Sequence, residues 1–518
     1  MNTLYYGDNL DILRRYIKDE SIDLIYLDPP FNSNATYNVL FGEKDGTKAE
    51  AQIQAFDDTW HWDTAASEAF QEVVEFGGNV SRAMQSFRVL LGDNDMLAYL
   101  AMMAPRLVEL HRVLRPTGSI YLHCDPTASH YLKVLLDSIF GVKNFKNEII
   151  WKRQTPSGFK GKSSIGQGHD VILYFSKSHH FLYNPLFIPY SDNYLENRFS
   201  KVDETGRRFK DQWLGTATTQ ETIDRLKAEG KIYYTSTGKL RIKLYIDEIK
   251  GVPLDDVWND VTPINSMAKE RLGYPTQKPE ALLERIIKAS SNKGDLILDP
   301  FCGCGTAVTV AQRLDREWIG IDITHLAINL MKTRLQTAFG DQAKYKVIGE
   351  PVSLDDARAL AESDKYQFQW WALGLVGARP TDQKKGSDKG IDGRLYFHEI
   401  DKGETKQVII SVKGGGTTVS QLRDLRGTID RENAEIGVLI TMEEPTQPMR
   451  AEVASAGYYM SPIWGNFPRL QILTIQELLE GKGIAMPPIS QVSTTFKKAP
   501  KANNKKGDQA PLFPGNNN

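Results

Sequence analysis

The segment Asp28-Pro29-Pro30-Phe31 combines residue types that suit the handling of a flat ring bearing an amino group. Each proline fixes its φ angle and removes an N–H donor, so the backbone here is rigid and presents carbonyl groups. A carboxylate beside a rigid carbonyl offers acceptors to an exocyclic –NH2 group, which has two hydrogens to donate. Phe31 can stack on the ring. The segment therefore predicts a site that holds an amino nitrogen with its lone pair directed outward.

A second segment, Asp299-Pro300-Phe301-Cys302-Gly303-Cys304-Gly305-Thr306, predicts a ligand-binding turn. Its glycines let the backbone approach a ligand closely, and the helix that follows offers free N–H groups and the positive end of its dipole. Asp322 lies 17 residues beyond Gly305, near the spacing of about 20 expected for an acid that binds ribose hydroxyls. Position 308 is Val where the dinucleotide fingerprint has a third glycine. A structural tight turn and a nicotinamide-linked dehydrogenase therefore both stay open at this point.

The elements that must position these two segments are alternating strands and helices. Ile22–Leu27 is a short apolar strand that stops at Asp28. Strands over residues 295–298 and 318–321 enclose a helix over 307–314, so strand, glycine turn, helix, strand and acid form one βαβ unit. This order predicts an α/β fold with a doubly wound, Rossmann-like sheet.

Composition limits the classes of protein that fit. The 518 residues are 41% hydrophobic and 25% charged, which predicts several globular domains. The net charge of −2 excludes nucleic-acid binding by bulk charge alone, and three cysteines exclude a disulfide scaffold. The longest apolar stretch, 96–105, is too short to span a membrane, and the first residues lack the apolar region of a signal peptide. We expect a soluble cytoplasmic protein without a membrane partner.

With both segments in this order, the chain resembles the DNA amino-methyltransferases that use S-adenosyl-L-methionine. The amino-binding segment comes first, then an insert, then Thr276-Gln277-Lys278-Pro279, and then the glycine turn. That order is similar to the permuted β group, which includes the Mod subunits of type III restriction systems. The remaining matches are short segments spread over roughly the first 340 residues: Gly7-Asp8-Asn9, His123-Cys124-Asp125 and Gly273-Tyr274-Pro275.

The resemblance implies a cofactor site and a reaction. The residues implied to bind S-adenosyl-L-methionine are Lys278, Asp299, Phe301, Gly303, Gly305 and Asp322, with Asp8 beside the adenosine. Asp28 and the carbonyl of Pro29, on the rigid Pro29-Pro30 backbone, are implied to hold the amino group of a base turned out of the duplex, and Phe31 to stack on it. Within the family, Asp-Pro-Pro-Phe favours adenine N6 as the methylated position. Cytosine N4 remains the alternative. Cytosine C5 is excluded because the chain has no Pro-Cys-Gln nucleophile.

The insert, residues 179–260, is expected to be a target-recognition domain that contacts double-stranded DNA. Basic side chains there would neutralise phosphates while polar side chains read base edges. A merely solvated charged surface is the alternative. The basic residues concerned are Arg207, Arg208, Lys210, Lys239, Arg241 and Lys243.

Residues 350–485 form a further unit in α+β order, with strands clustered between helices. Gly390-Ile391-Asp392-Gly393 followed by Ile410-Ser411-Val412-Lys413 resembles the Mrr-like branch of the restriction-endonuclease fold, and Gln421 on the next helix strengthens the match. The resemblance implies that Asp392 binds Mg²⁺ and that Lys413 polarises water or phosphate. Ser411 departs from the pattern, because an acid or Gln is usual there. A single-chain restriction–modification enzyme and a methyltransferase whose last domain only binds DNA are therefore both open.

The chain ends in a basic segment, 494–518, whose composition predicts disorder. Gln509-Ala510-Pro511-Leu512-Phe513 resembles the peptides by which bacterial replication proteins dock on the sliding clamp. A homodimer is the other partner we expect. The predicted boundaries are 1–178 for the catalytic part, 179–260 for the insert, 261–345 for the cofactor-binding part, 350–485 for the endonuclease-like domain and 494–518 for the tail.

Overall fold

The computed structural model describes residues 1–30, 36–42, 48–57, 61–153, 167–215, 218–265, 267–272, 274, 276–381, 390–399 and 404–488. Phe31, Gly273, Pro275 and the tail with Gln509–Phe513 lie outside them.

The strands, in chain order, are β1 (Asn2–Tyr6), β2 (Ile22–Leu27), β3 (Thr36–Gly42), β4 (Lys48–Asp57), β5 (Leu114–Cys124), β6 (Phe145–Lys152), β7 (His169–Ser176), β8 (Phe187–Ile188), β9 (Lys201–Val202), β10 (Arg208–Trp213), β11 (Ile232–Tyr234), β12 (Leu240–Tyr245), β13 (Val252–Pro253), β14 (Val257–Trp258), β15 (Leu296–Asp299), β16 (Glu317–Asp322), β17 (Tyr345–Ile348), β18 (Arg379–Pro380), β19 (Gly393–Phe397), β20 (Lys406–Lys413), β21 (Ile436–Thr441), β22 (Tyr458–Ser461), β23 (Gly465–Pro468) and β24 (Leu470–Thr474).

The α-helices are α1 (Asn9–Tyr16), α2 (Thr64–Phe76), α3 (Gly78–Leu91), α4 (Asp95–Val113), α5 (Pro126–Phe140), α6 (Asp192–Arg198), α7 (Gln220–Ala228), α8 (Glu280–Ser290), α9 (Thr306–Arg313), α10 (His325–Phe339), α11 (Leu354–Ser363), α12 (Lys365–Leu375), α13 (Val419–Arg431), α14 (Gln447–Ser455) and α15 (Ile475–Leu479). Among the described residues, no helix has both the length and the apolarity that crossing a bilayer requires.

A nine-stranded sheet in the order β14-β6-β7-β5-β2-β15-β16-β1-β17 forms the centre of the first part of the chain. The run from β5 to β17 pairs in parallel, and β7 is antiparallel to both of its neighbours. Strand β2 is almost entirely buried, as its continuous apolar run predicts. The α/β, Rossmann-like prediction is confirmed. Because β2 pairs with β15, the ends of two distant segments lie side by side.

Residues 184–255 form a separate compact unit. It has a four-stranded sheet in the order β11-β12-β10-β9, a two-stranded sheet of β13 and β8, and the helices α6 and α7. Phe209 and Tyr245 are buried on paired strands, and Phe199 is buried just beyond α6. This unit therefore has a small apolar core of its own.

The later part of the chain has a mixed five-stranded sheet in the order β18-β19-β20-β21-β24. One apolar cluster lies on the side of α11, α12 and α15, and a second lies on the side of α13 and α14. The α+β prediction for this domain is confirmed. Residues 354–375, which the apolar pattern predicts as continuous helical sequence, are two helices, because extended backbone at Asp364 ends α11 and its side chain caps α12.

Candidate active site

A cavity of about 230 Å³ lies where the parallel strands end. The chain leaves β1 at Gly7, β2 at Asp28 and β16 at Ile323, and β15 ends at Asp299. In open α/β sheets, ligands bind at the carboxyl ends of the strands. The residues predicted from the sequence that line the cavity are Asp8, Asp28, Pro29, Pro30, Lys278, Asp299, Phe301, Gly303 and Asp322.

Two predicted residues are not among these. Phe31 lies outside the described residues. Gly305 supports the turn: its φ is +72°, and a Cβ there would overlap Met331 of α10. A side chain at this position is therefore excluded by backbone conformation and by space.

Asp28 and Lys278 form an ion pair at the cavity. The Lys278 ammonium donates to Oδ2 of Asp28, and both side chains are mostly buried. The other carboxylate oxygen, Oδ1, is buried and has no hydrogen-bond partner among the described residues. Lysine thus fixes one edge of the carboxylate while the second acceptor stays available. The family resemblance assigns Lys278 to the cofactor, whereas the structure places its ammonium on Asp28.

The glycine turn and Asp322 are bonded to each other. Gly303 has a φ of +48°, and its N–H donates to Oδ2 of Asp322 at 2.9 Å. The backbone N–H and the hydroxyl of Thr324 both donate to Oδ1 of Asp322 at 2.9 Å. Burial nevertheless raises the pKa of Asp322 to about 6. Asp299 is also buried, and burial raises the pKa of its carboxyl well above the usual range.

Arg106 of α4 is part of this site, although sequence reasoning does not single it out. It donates at 2.6 Å to both Asp8 Oδ2 and Asn9 Oδ1, and Asn9 donates to the carbonyl of Pro300 at 2.8 Å. The start of α1 is thereby bonded to the loop after β15. The sequence feature that could have pointed to Arg106 is a cation within an otherwise apolar helical segment.

A buried network forms behind Tyr26, which also lines the cavity. The Tyr26 hydroxyl lies 3.0 Å from His123 Nδ1, and His123 Nε2 lies 3.2 Å from Asp170 Oδ2. Arg153 forms an ion pair with the same aspartate at 2.9 Å. Burial lowers the pKa of His123, which favours its neutral form. His123 of the His123-Cys124-Asp125 segment therefore has a structural role, because its hydrogen bond fixes the Tyr26 side chain in the cavity wall.

In the later domain, three of the four nuclease candidates lie together. Asp392 Oδ2 accepts from Ser411 Oγ at 3.0 Å and from the Val412 N–H at 2.6 Å, and Lys413 Nζ lies 3.7 Å away. Gln421 is instead the third residue of α13, where its side chain accepts from the N–H of Thr418 in a capping box. No group of three or more potential metal ligands occurs among the described residues. Asp392, the one carboxylate that the described residues bring to this cluster, is already bonded by a hydroxyl and an N–H, and one such group does not make a Mg²⁺ centre.

Two family models match the chain. The model N6_N4_Mtase, described as DNA methylase, matches residues 22–333, which is more than half of the chain. A model described as NACHT-associated inactive Restriction Endonuclease 1 matches residues 365–480.

Three curated relatives are similar to it. The type II methyltransferase M.EcaI from Enterobacter cloacae is 29% identical over 64% of this chain and 69% of its own length. The Mod subunit of the type III restriction-modification enzyme StyLTI from Salmonella typhimurium is 25% identical over 67% of this chain and 55% of its own. The DNA adenine methyltransferase YhdJ from Escherichia coli K12 is 26% identical over 65% of this chain and 83% of its own. Since the family model covers more than half of it, the chain belongs to the N6_N4_Mtase family of DNA methylases.

Proposed function

We propose that the chain is a site-specific methyltransferase of the permuted β group that methylates adenine N6 in double-stranded DNA in the cytoplasm, with S-adenosyl-L-methionine as methyl donor. The observation that carries this proposal is the Asp28 carboxylate: Lys278 bonds one oxygen, and the other is buried with no hydrogen-bond partner in the described part of the chain. An unsatisfied buried acceptor costs about 1–3 kcal/mol. An exocyclic amino group of a bound base would donate the missing hydrogen bond to this oxygen.

The surrounding residues suit the two halves of this reaction. Asp28 Oδ1 and the carbonyl of Pro29 would accept the two amino hydrogens and so orient the nitrogen lone pair. Asp322 would accept from ribose hydroxyls, and the positive φ of Gly303 lets the backbone approach the cofactor. Bound S-adenosyl-L-methionine would supply an electrophilic methyl group to this nitrogen: an N–C bond would form as the C–S bond breaks, sulfur would keep the electron pair, and the nitrogen would then release a proton.

The identity of the methylated base is the direct test. We expect N6-methyladenine when unmethylated double-stranded DNA is incubated with the protein and S-adenosyl-L-methionine and its nucleosides are measured by mass spectrometry. The Asp-Pro-Pro-Phe segment and the similarity to a relative named as an adenine methyltransferase support this expectation. N4-methylcytosine instead would keep the site and overturn the base assignment. Absence of any methylated base on DNA containing all short sequences would contradict the proposal.

The raised pKa of Asp322 predicts pH-dependent cofactor binding. Its carboxylate predominates above its pKa of about 6, and only the carboxylate can keep its bonds to Gly303 and Thr324 and also accept from the cofactor. As the pH falls below about 6, a proton must be lost on binding, so the Kd for S-adenosyl-L-methionine should rise up to roughly tenfold per pH unit. Calorimetric titrations from about pH 5 to about pH 8 measure this. Asp322→Asn should flatten the profile, and a flat wild-type profile would refute the assignment.

We further propose that the insert, with the boundaries 179–260, is the target-recognition domain. Cations there lie beside aromatic rings: Lys210 Nζ lies 5.8 Å and 5.5 Å from the rings of Tyr190 and Tyr194, both only partly buried. Lys239 is exposed. Side chains of these types can contact phosphates and stack on bases.

For the later domain, 350–485, we propose a restriction-endonuclease fold without cleavage activity. Ser411 stands where a metal-binding acid is usual, and it donates to Asp392, the only candidate ligand of the pair. The similarity to a family described as inactive supports the same conclusion. We infer no Mg²⁺-dependent step here.

Loss of cleavage gives a testable prediction. Plasmid DNA incubated with the protein and Mg²⁺ should stay intact, and Asp392→Ala should leave both the plasmid and the methylation rate unchanged. Gel electrophoresis and the methylation assay measure the two. Cutting that disappears in Asp392→Ala would establish the rival, a single-chain restriction–modification enzyme.

Binding to a sliding clamp and formation of a homodimer remain predictions. Docking on a sliding clamp rests on Gln509–Phe513, outside the described residues, and a pull-down in which the intact tail fails to retain clamp would end that idea. A homodimer is tested by the mass of the protein in solution.

A further inference from the structure

Helix α12 of the later domain lies directly against α10, a helix of the methylase part of the chain. Asn329 Nδ2 on α10 donates to the carbonyl of Trp370 on α12 at 2.9 Å. A Cβ at Gly374 would overlap the Asn329 amide, so the helices meet at backbone distance. The two parts of the chain are thus closely packed at this point.

Gln367 of α12 binds the beginning of α10. Its Oε1 accepts from the N–H of His325 at 2.9 Å. His325 is the first residue of α10, where backbone N–H groups lack a partner within the helix. The preceding residue, Thr324, donates to Asp322 through both its N–H and its hydroxyl. Gln367 therefore fixes the chain one residue beyond the group that holds the predicted ribose-binding carboxylate.

Trp370, one turn further along α12, packs against an apolar cluster that includes Cys304 of the glycine turn. The buried residues of this cluster are Tyr274, Cys304, Leu326 and Leu330. Tyr274 and Cys304 line the cavity, and a Cβ at Gly303 would come within 3.2 Å of the Tyr274 ring. Through this cluster, the indole is linked by packing to the turn whose backbone would contact the cofactor.

The end of β1 is connected to this contact as well. The Tyr6 ring stacks on the His325 ring with 3.6 Å between the centroids and 19° between the planes. Tyr6 directly precedes Gly7 and Asp8, both in the cavity lining. Three cavity segments therefore converge on residues that α12 touches.

We propose that α12 of the endonuclease-like domain positions the cofactor site, with Gln367 and Trp370 as positioning residues for S-adenosyl-L-methionine binding. This inference rests on the proposed function. It gives the domain a role that needs no nuclease chemistry: by ordering the start of α10 and the glycine turn before the cofactor arrives, it lowers the conformational cost of binding.

The test uses the full-length protein with paired variants. Gln367→Leu and Trp370→Ala should each raise the Kd and the KM for S-adenosyl-L-methionine roughly 5- to 20-fold, with the KM for DNA within about twofold of wild type. Gln367→Glu keeps the acceptor, Trp370→Phe keeps an aromatic ring, and both should restore most of the affinity. Tyr366→Ala, an exposed residue of the same helix, is the matched control and should bind as wild type does.

The outcomes separate the hypotheses. Wild-type affinity in both Gln367→Leu and Trp370→Ala would overturn the inference, as would equal losses for DNA and cofactor accompanied by a lower Tm, which indicate general destabilisation. Failure of the wild-type protein itself to bind S-adenosyl-L-methionine would overturn the proposed function and this inference with it.

Discussion

Replacing Asp28 with alanine is expected to lower the methylation rate by on the order of 10³-fold while cofactor binding stays within about threefold of wild type. The substitution removes the acceptor that orients the amino nitrogen and leaves the walls that would hold the cofactor. It also removes the carboxylate that pairs with the largely buried Lys278 ammonium. Single-turnover rates with saturating DNA and S-adenosyl-L-methionine measure the first effect, and calorimetry measures the second.

Three variants make this result specific. Asp28→Asn keeps an acceptor oxygen but adds two donors beside an amino group, and it should be nearly as inactive as Asp28→Ala. Lys278→Met leaves the carboxylate without the donor that fixes it, and we expect an intermediate loss of about 10- to 100-fold. Asp11→Ala removes an exposed carboxylate that forms an ion pair with Arg15 and should be fully active. More than a tenth of the wild-type rate in Asp28→Ala would contradict the role assigned to this loop.

Asp322→Ala should raise the Kd for S-adenosyl-L-methionine by roughly 100-fold. Loss of hydrogen bonds from two ribose hydroxyls to a charged acceptor amounts to about 3 kcal/mol, and each 1.4 kcal/mol corresponds to about tenfold in Kd. The Gly303 N–H also loses its partner, so the turn loses an internal tie. The affinity for DNA alone should not change.

Thr324→Val distinguishes contact from local structure. It removes the hydroxyl that donates to Asp322 and caps α10 at Ala327, while the carboxylate stays. We expect a rise in Kd of less than about fivefold, since one cap contributes about 1 kcal/mol or less to such a site. Asp322→Ala that binds within threefold of wild type would show that the ribose lies elsewhere.

The parts of the site that follow from the sequence are those in which a short segment contains both the chemistry and the geometry. Asp28-Pro29-Pro30 and the glycine turn specify backbone shape through proline and glycine, and each follows a strand that the apolar pattern identifies. The structure places both segments around one cavity. Their proximity follows from the pairing of β2 with β15.

Contacts between distant residues could not be derived in the same way. Lys278 reaches Asp28 across 250 positions of sequence, and Arg106 reaches Asp8 across 98. The sequence around a single lysine or arginine does not indicate its partner, because ion pairing between distant residues depends on the fold and not on a local pattern. Tyr26, His123 and Asp170 are likewise joined only through neighbouring strands.

One functional assignment overlooked a local rule. Thr418-Val419-Ser420-Gln421 has the spacing of a capping box, so the position of Gln421 at the start of α13 has a structural explanation. Asp364 similarly interrupts an apolar helical pattern because its side chain caps the following helix. In both cases a polar residue ends or begins a helix, and the periodicity of apolar residues does not predict such helix ends.

The placement of β15 between β2 and β16 has a consequence during synthesis in the cell. The loop with Asp28 leaves the ribosome early, but the strand beside it and the Asp322 carboxylate are translated almost 300 residues later. A polypeptide released prematurely, before residue 322, therefore lacks one half of the reaction centre. Only chains completed past α10 can assemble the cavity, so abortive translation products cannot leave methyl marks on the genome.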